Sequence, residues 1–240
     1  MAAMDGKFLG VIGGMGPLAT DVFYRMVIDN TKAERDQDHI DMMILSHSSM
    51  PDRTAAIKSG MTADVIDKLR GDAVFLEKAG ARCIVIPCNT SHSFLPEIES
   101  AGSIPVINMI SEAAKAAADR CGGPGAKVGV RGTDGTVKMG LYQKALKAEG
   151  LDPVIPSEEN QKRVMGIIYD GVKAGRPVDP LDFEKIEAEF ISKGCDCAVL
   201  GCTELSSYRV IEGLSEYFVD AMEAAARAAI AECGKELKQK

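Results

Sequence analysis

The chain alternates short apolar runs, often rich in β-branched residues, with longer segments whose apolar positions recur at helical spacing. Gly or Pro closes most of the runs, which is typical of a buried strand leading into a helix. We therefore predict an α/β fold with mainly parallel sheets. The predicted strands cover residues 8–12, 40–45, 83–86, 105–107, 127–130 and 198–200.

The two halves of the chain resemble each other. Three pairs of segments match in the same order: residues 7–16 with 127–135, 83–90 with 197–204, and 106–108 with 218–220. The similarity of all strand–helix units is an alternative explanation for the outer two pairs. The middle pair matches without a gap and aligns Cys88 with Cys202, so we predict an internal duplication.

The duplication predicts two similar Rossmann-like domains related by a pseudo-twofold axis. We assign the first to residues 1–118 plus 213–240 and the second to 119–212, and we take the Gly/Pro cluster at 121–125 as a boundary. Ligands of such sheets bind outside the carboxyl ends of the strands. Cys88 and Cys202 each follow a predicted strand, so we expect them to meet across one cleft.

The surroundings of these two cysteines favour proton transfer. Each is followed by polar residues and by the start of a predicted helix, whose free N–H groups bind carboxylates and lower the pKa of a thiol. The other five cysteines are interpreted as small buried residues. His92, four residues after Cys88, either joins the chemistry or makes a local hydrogen bond at the helix start.

Other site patterns are weaker. Cys195 and Cys197 lack the second ligand pair of a zinc site, and the three histidines form no metal-binding pair. The loop that contains Gly14 and Met15 loosely fits a dinucleotide fingerprint, but no acidic residue follows the next strand to hold a ribose. We expect its backbone amides to approach a small anionic substrate instead. Arg53, on a loop at the same sheet edge, can grip a carboxylate with two hydrogen bonds.

Composition narrows the choice of partners. A net charge of −7 argues against nucleic-acid binding, which requires clustered Lys and Arg. The start of the chain lacks a signal-peptide pattern, and no apolar run reaches the ~20 residues that cross a bilayer. We expect a cytoplasmic protein whose seven cysteines are reduced thiols, with no membrane partner.

Taken together, these motifs resemble the aspartate/glutamate racemase family, and its aspartate racemase branch most closely. The resemblance runs nearly end to end and rests on specific segments: Ile12-Gly13-Gly14-Met15-Gly16-Pro17, Met50-Pro51-Asp52-Arg53-Thr54, Pro87-Cys88-Asn89-Thr90, Thr133-Asp134-Gly135-Thr136, Ile168-Tyr169 to Lys173, and Gly201-Cys202-Thr203-Glu204. It implies two similar α/β domains, no pyridoxal phosphate or other cofactor, and a cysteine pair that removes and returns the α-proton.

The resemblance also implies roles for single residues. Cys88 and Cys202 become the catalytic pair, and Arg53 and Lys173 recognise carboxylate. Glu204 supports either the protonation of the second thiol or the substrate ammonium. The remaining substrate contacts are Gly14, Met15, Asn89, Thr90, Thr133 and Thr203.

Two positions depart from the family pattern. The strand before Thr133 usually is apolar and ends in Ala, but here it ends in Arg131 and Gly132; Ser91 stands where Ala is common. If Arg131 points into the cleft, the substrate can differ from aspartate.

The expected function is therefore amino-acid racemisation, with aspartate as the first candidate and glutamate or a broader range as alternatives. An isomerase or decarboxylase of a small dicarboxylate, such as a maleate isomerase-like enzyme, is a second possibility. A catalytically silent amino-acid-binding protein and a nucleotide-dependent oxidoreductase are further alternatives. The resemblance also implies a homodimer.

Overall fold

The computed structural model describes residues 8–239, in which strands and helices alternate as the apolar pattern predicts. The strands are β1 Phe8–Gly13, β2 Met42–Ser46, β3 Ala81–Val85, β4 Val106–Ile107, β5 Lys127–Gly132, β6 Asp152–Val154, β7 Cys197–Gly201 and β8 Phe218–Asp220. The helices are α1 Pro17–Asn30, α2 Arg53–Ser59, α3 Ala63–Ala79, α4 Leu95–Glu99, α5 Met109–Cys121, α6 Asp134–Lys138, α7 Leu141–Ala148, α8 Glu158–Met165, α9 Pro180–Ser192, α10 Thr203–Glu212 and α11 Ala221–Glu232. Short 3₁₀ segments cover Asp36–Asp38 and Asn89–Phe94, and a π-helical segment covers Gly166–Val172.

The eight strands form two parallel sheets with the same connectivity. The first has the order β2-β1-β3-β4 and the second β6-β5-β7-β8. Their registers also correspond, because Leu9 of β1 pairs with Cys83 of β3, and Val128 of β5 pairs with Cys197 of β7. The predicted α/β class is confirmed, and the two sheets repeat each other strand for strand.

Six of the eight strands were predicted, with small differences at their ends. The prediction missed β6 and β8, which have three residues each. Pro153 lies within β6 and argues against a strand, but β6 is at a sheet edge, where a missing N–H donor is tolerated. The segment of β8 was matched to β4 by the repeat but was too short to be recognised as a strand.

The chain divides into two compact units. One comprises the described residues up to Met109 and from Met222 onward; the other is Ile110–Ala221. The Gly/Pro turn after Cys121 therefore lies inside the second unit, where it joins α5 to β5, and is not a unit boundary. As domains, the ranges 1–118 plus 213–240 and 119–212 stay a prediction.

Each sheet is buried by helices on its faces. In the first unit, Leu9 and Val11 of β1 pack against Phe23 of α1 and against Met222 and Ala226 of α11. In the second unit, the large core residues come mainly from the π-helical segment, α9, β7 and α10. Because these faces are apolar, polar side chains concentrate beyond the strand ends. Within residues 8–239, no helix has the length and apolar character needed to cross a membrane.

Candidate functional site

Cys88 lies just beyond the carboxyl end of β3, the central strand of the first unit. Its backbone is extended, and it precedes the 3₁₀ segment that starts at Asn89. The side chain is 5% exposed and belongs to the core cluster that also contains Met15 and Ile86. Asn89 and Thr90 are equally buried. A buried thiol and two buried polar side chains therefore follow the end of strand β3.

The His92 ring hydrogen-bonds to the backbone of Cys88. The Nδ1 atom of His92 lies 3.0 Å from the carbonyl oxygen of Cys88, and Nε2 accepts the backbone N–H of Met109 at 3.1 Å. Because Nε2 accepts, the ring proton is on Nδ1, which donates to Cys88. Burial lowers the pKa of His92, so the ring is neutral. Of the two roles expected for His92, the structure shows the local hydrogen bond at the start of the helical segment. We define the first cysteine site as Cys88, Asn89, Thr90 and His92.

Arg53 is the first residue of α2 and is buried, whereas the sequence analysis placed it on a loop. Asp52 caps this helix by accepting the N–H of Ala55 at 2.8 Å. The guanidinium donates to the carbonyl oxygens of Pro51 at 3.0 Å and Met15 at 3.1 Å. These carbonyl oxygens hold the guanidinium in a fixed orientation.

Close packing requires a glycine at position 14. It has a φ of +84°, and a Cβ there would lie 2.4 Å from the backbone nitrogen of His47. Its own N–H donates to Thr20 Oγ1 at 2.9 Å. This amide is engaged inside the unit, so Gly14 shapes the turn. Its contact with an anionic substrate stays a prediction.

Cys202 occupies the equivalent point of the second unit, at the end of β7 and the start of α10. Its Sγ donates a hydrogen bond to Glu204 Oε2 at 2.8 Å, and Thr203 Oγ1 lies 3.4 Å from the same oxygen. Burial raises the pKa of Cys202 well above its ordinary value, and the charge of Glu204 raises it further. Cys202 is therefore held as a protonated thiol.

Lys173 follows the π-helical segment, a feature that is frequent at functional sites. Its Nζ lies 3.6 Å from Glu204 Oε1 and 4.7 Å from the centre of the Tyr169 ring. The cation stabilises the buried carboxylate, which in turn holds the thiol proton. We define the second cysteine site as Cys202, Thr203, Glu204 and Lys173.

Thr133 follows β5 and caps α6, with its Oγ1 accepting the N–H of Thr136 at 3.2 Å. Beside it, Gln161 Nε2 donates to the Gly132 carbonyl and to Asp134 Oδ1, both at 3.0 Å. A cavity of about 450 Å³ opens in the second unit next to this network. It is lined by Asp134, Glu158, Gln161, Lys162, Met165, Gly166, Tyr169 and Asp170.

Arg131 does not point past the end of β5, as would be needed for it to choose the substrate. Its side chain is fully buried, with the guanidinium carbon 4.1 Å from the ring centre of Phe183 and 4.5 Å from that of Phe218. Nη2 donates to the Phe183 carbonyl at 3.4 Å. Among the described residues, Nε and Nη1 have no hydrogen-bond partner. Arg131 is thus a core residue of the second unit.

Tyr142 was missed by the sequence reasoning. It is fully buried, and a Cβ at Gly201 would lie 2.7 Å from its ring, so the ring packs on the residue before Cys202. Burial raises the pKa of Tyr142, with smaller contributions from Asp220 and Cys202. The signal in the sequence was Gly201, since glycine inside an apolar strand marks a close approach.

Across the described part of the chain, no group of three or more His, Cys, Asp or Glu residues could hold a metal ion.

Comparison with known proteins decides the family. A model of the Asp/Glu/hydantoin racemase family matches residues 12–229. The chain belongs to the Asp/Glu/hydantoin racemase family. Racemases are isomerases, and this membership agrees with the fold.

Individual members of this racemase family show the same relationship. The broad specificity amino-acid racemase RacX of Bacillus subtilis is 32% identical over 205 residues, which cover 83% of this chain and 86% of RacX. The glutamate racemase of Corynebacterium glutamicum is 32% identical, covering 58% of this chain and 48% of its own length. The structure of Picrophilus torridus aspartate racemase superposes with a TM-score of 0.80, at 28% identity and 96% coverage of both chains.

Proposed function

We propose that this protein interconverts the L and D forms of an amino acid without pyridoxal phosphate, with aspartate as its first substrate. The observation that carries the proposal is the repeat itself. Each unit places a buried cysteine beyond the end of its central strand, at the same step of the same topology. Membership of a racemase family supplies the reaction class.

Inversion at the α-carbon requires a proton to leave one face and another to arrive on the opposite face. In the proposed reaction, one cysteine removes the α-proton as a thiolate, and the other donates a proton as a thiol. Cys202 suits the donor role because it is protonated and hydrogen-bonded to Glu204. Cys88 is then the base, and the reverse direction exchanges the two roles.

The proposed substrate contacts follow from charge. Arg53 has a buried guanidinium fixed by two carbonyl oxygens, which suits it to pair with a carboxylate. Lys173, next to Glu204, is the second cation of the proposed site. Asn89, Thr90, Thr133 and Thr203 complete it with polar groups at the strand ends. A dicarboxylic amino acid matches this set of cations.

The test of the function is incubation of the purified protein with L-amino acids, without added cofactor, followed by chiral analysis. The panel includes acidic, neutral and basic amino acids, because glutamate is one alternative substrate and one relative is described as broad in specificity. We expect D-aspartate to form fastest. If no amino acid is inverted, the proposal is wrong. A dicarboxylate isomerase or decarboxylase would instead consume maleate or a similar acid, and a silent binding protein would bind without turnover.

The mechanism is tested in deuterated water. Starting from the L-enantiomer, early D-product should carry deuterium at the α-carbon, whereas the remaining substrate keeps its α-hydrogen. This pattern follows because the donor thiol exchanges with solvent and the abstracting thiol is a different group. Retention of α-hydrogen in the product would indicate a single base and would contradict the cysteine pair.

The assembly state is proposed from the family resemblance alone. We propose a homodimer, and light scattering of the purified protein measures its mass against the 25.6 kDa of one chain. A monomer at working concentration would contradict it.

A further inference from the structure

Four of the five cysteines outside the proposed catalytic pair form two close pairs. In the first unit, the Sγ atoms of Cys83 and Cys233 are 3.9 Å apart. In the second unit, the Sγ atoms of Cys121 and Cys197 are 2.7 Å apart. All four are free thiols. Each contact brings together residues far apart in sequence, so tertiary structure alone creates both pairs.

The two pairs are copies of each other within the duplicated fold. Cys83 and Cys197 occupy matching strand positions, because each pairs with the second residue of the neighbouring central strand. Cys121 ends α5, and Cys233 directly follows α11. Both units thus place a helix-end thiol against a strand thiol. The sequence analysis interpreted these cysteines as small buried residues, which need no partner. Chance does not explain why the same contact between a strand cysteine and a helix-end cysteine occurs in both units.

The two members of each pair differ in access to solvent. Cys83 and Cys197 are fully buried in their strands, whereas Cys121 and Cys233 are partly exposed. The hydrogen bond from Cys83 lowers the pKa of Cys233, and Arg82 acts in the same direction. Each pair therefore has an accessible thiol that an oxidant reaches first and a protected thiol behind it.

We propose that Cys83–Cys233 and Cys121–Cys197 are two reversible disulfide sites that respond to peroxide. The helix-end thiol gives up its proton and attacks the peroxide as a thiolate, so that an S–O bond forms and the O–O bond breaks. The hydroxide that leaves takes up the released proton and becomes one water. The strand thiol then attacks the resulting sulfenic acid, so that the S–S bond forms, the S–O bond breaks and a second water leaves. Overall, two thiols lose two electrons and two protons, and the peroxide is reduced to water.

Each disulfide fastens the end of a helix to a central strand. The first closes a loop of 150 residues and the second a loop of 76 residues. Loops of this length restrict the unfolded chain strongly, so the oxidised protein should be the more stable form. We expect the melting temperature to rise by roughly 5–10 °C on oxidation and to return after reduction with dithiothreitol.

The experiment treats the full chain with hydrogen peroxide, removes the oxidant with catalase, and alkylates the remaining thiols. A non-reducing digest is then analysed by mass spectrometry, with fragment ions locating each cysteine in the linked peptides. We expect the two named links and three alkylated cysteines out of seven. Links between other cysteines, or seven alkylated cysteines, would overturn the proposal.

Variants separate the two sites. Cys233→Ser should lose only the first link, and Cys121→Ser only the second. Cys195→Ser is the control, because Cys195 is a cysteine of the second unit that belongs to neither pair, and it should keep both links. If the double variant Cys121→Ser/Cys233→Ser still gains the same thermal stability on oxidation, the two pairs are not the responsive sites.

Discussion

The two cysteine sites share a framework but differ in the groups around the thiol. Counted from the cysteine, Thr90 of the first site corresponds to Glu204 of the second. Among the contacts described for residues 8–239, a carboxylate accepts a hydrogen bond from the cysteine sulfur only in the second site. Duplication therefore explains where the thiols lie, and Glu204 adds to the effect of burial in raising the pKa of Cys202.

A second difference concerns how each cysteine segment is anchored. His92 in the first unit connects the Cys88 carbonyl to the N–H of Met109. Its counterpart, Ser206, donates to Asp220 Oδ1 at 2.7 Å. Both contacts tie the segment after the cysteine to the carboxyl end of the next strand, at Asp220 within β8 and at Met109 just beyond β4. The same mechanical role is thus filled by an imidazole in one unit and by a hydroxyl–carboxylate pair in the other.

The central strands differ as well. Ile12 of β1 corresponds to Arg131 of β5, and both are fully buried. Ile12 belongs to an apolar core of mixed side chains, whereas the guanidinium of Arg131 lies against aromatic rings. A duplicated scaffold therefore tolerates a charge at a position where its other copy has a hydrocarbon side chain.

The largest expected effect comes from removing either thiol. Cys88→Ala and Cys202→Ala should each lower the racemisation rate by about 10²–10⁴-fold, because a general acid or base contributes that much. Circular dichroism should show a folded protein in both cases. Cys195→Ala is the matched control and should keep its rate. If one of the two variants retains more than a tenth of the activity, the sites are not partners in one reaction.

Glu204→Gln tests the difference between the sites. It removes the charge that raises the pKa of Cys202, although burial, the larger cause, remains. We expect kcat to fall by roughly 10- to 100-fold, since a hydrogen bond to a charged group is lost. The limb of the pH–rate profile that depends on Cys202 should move to lower pH. Thr90→Ser, at the corresponding position of the first site, should not move the profile; an equal shift would contradict the assignment.

Arg131→Met should stabilise the protein by about 1–3 kcal/mol, because replacing a buried charge by an apolar residue removes its desolvation cost. Burial lowers the pKa of Arg131 to about 9, so this cost applies in full below pH 9. Denaturant unfolding at pH 7 measures the change. Ile12→Met in the first unit is the control and should cost less than about 1.5 kcal/mol. Destabilisation by Arg131→Met would show that the aromatic rings more than offset burial.

His92→Gln has the smallest expected effect, a loss of about 1–2 kcal/mol of stability from two weakened hydrogen bonds. Burial lowers the pKa of His92 in the folded state, so the unfolded state binds the proton more readily. The titration of His92 therefore does not affect the free energy of unfolding well above pH 6.5, the ordinary pKa of histidine, and lowers this free energy as the pH falls below that value. The variant should show a flatter dependence in this range. An unchanged acid dependence would mean that His92 does not titrate on unfolding.

Local rules account for much of what the sequence predicted correctly. Strands such as β1 and β7 are short, apolar and closed by glycine, so they were recognised without tertiary information. The repeat placed Cys88 and Cys202 at matching strand ends, which the structure confirms. The short edge strands β6 and β8 were missed because their local signals are weak. The burial of Arg53 was missed because the contact of its guanidinium with Met15 spans 38 residues.

The sequence by itself determined the α/β class, the duplication and the position of each thiol beyond a strand, because periodicity and motif spacing are local properties of the chain. Only the tertiary structure decided what surrounds those thiols. The ion pair between Lys173 and Glu204, the aromatic packing around Arg131, and the contact between Cys121 and Cys197 all join segments separated by tens of residues. Such contacts depend on how helices pack across the sheets, and burial then sets their charge and reactivity.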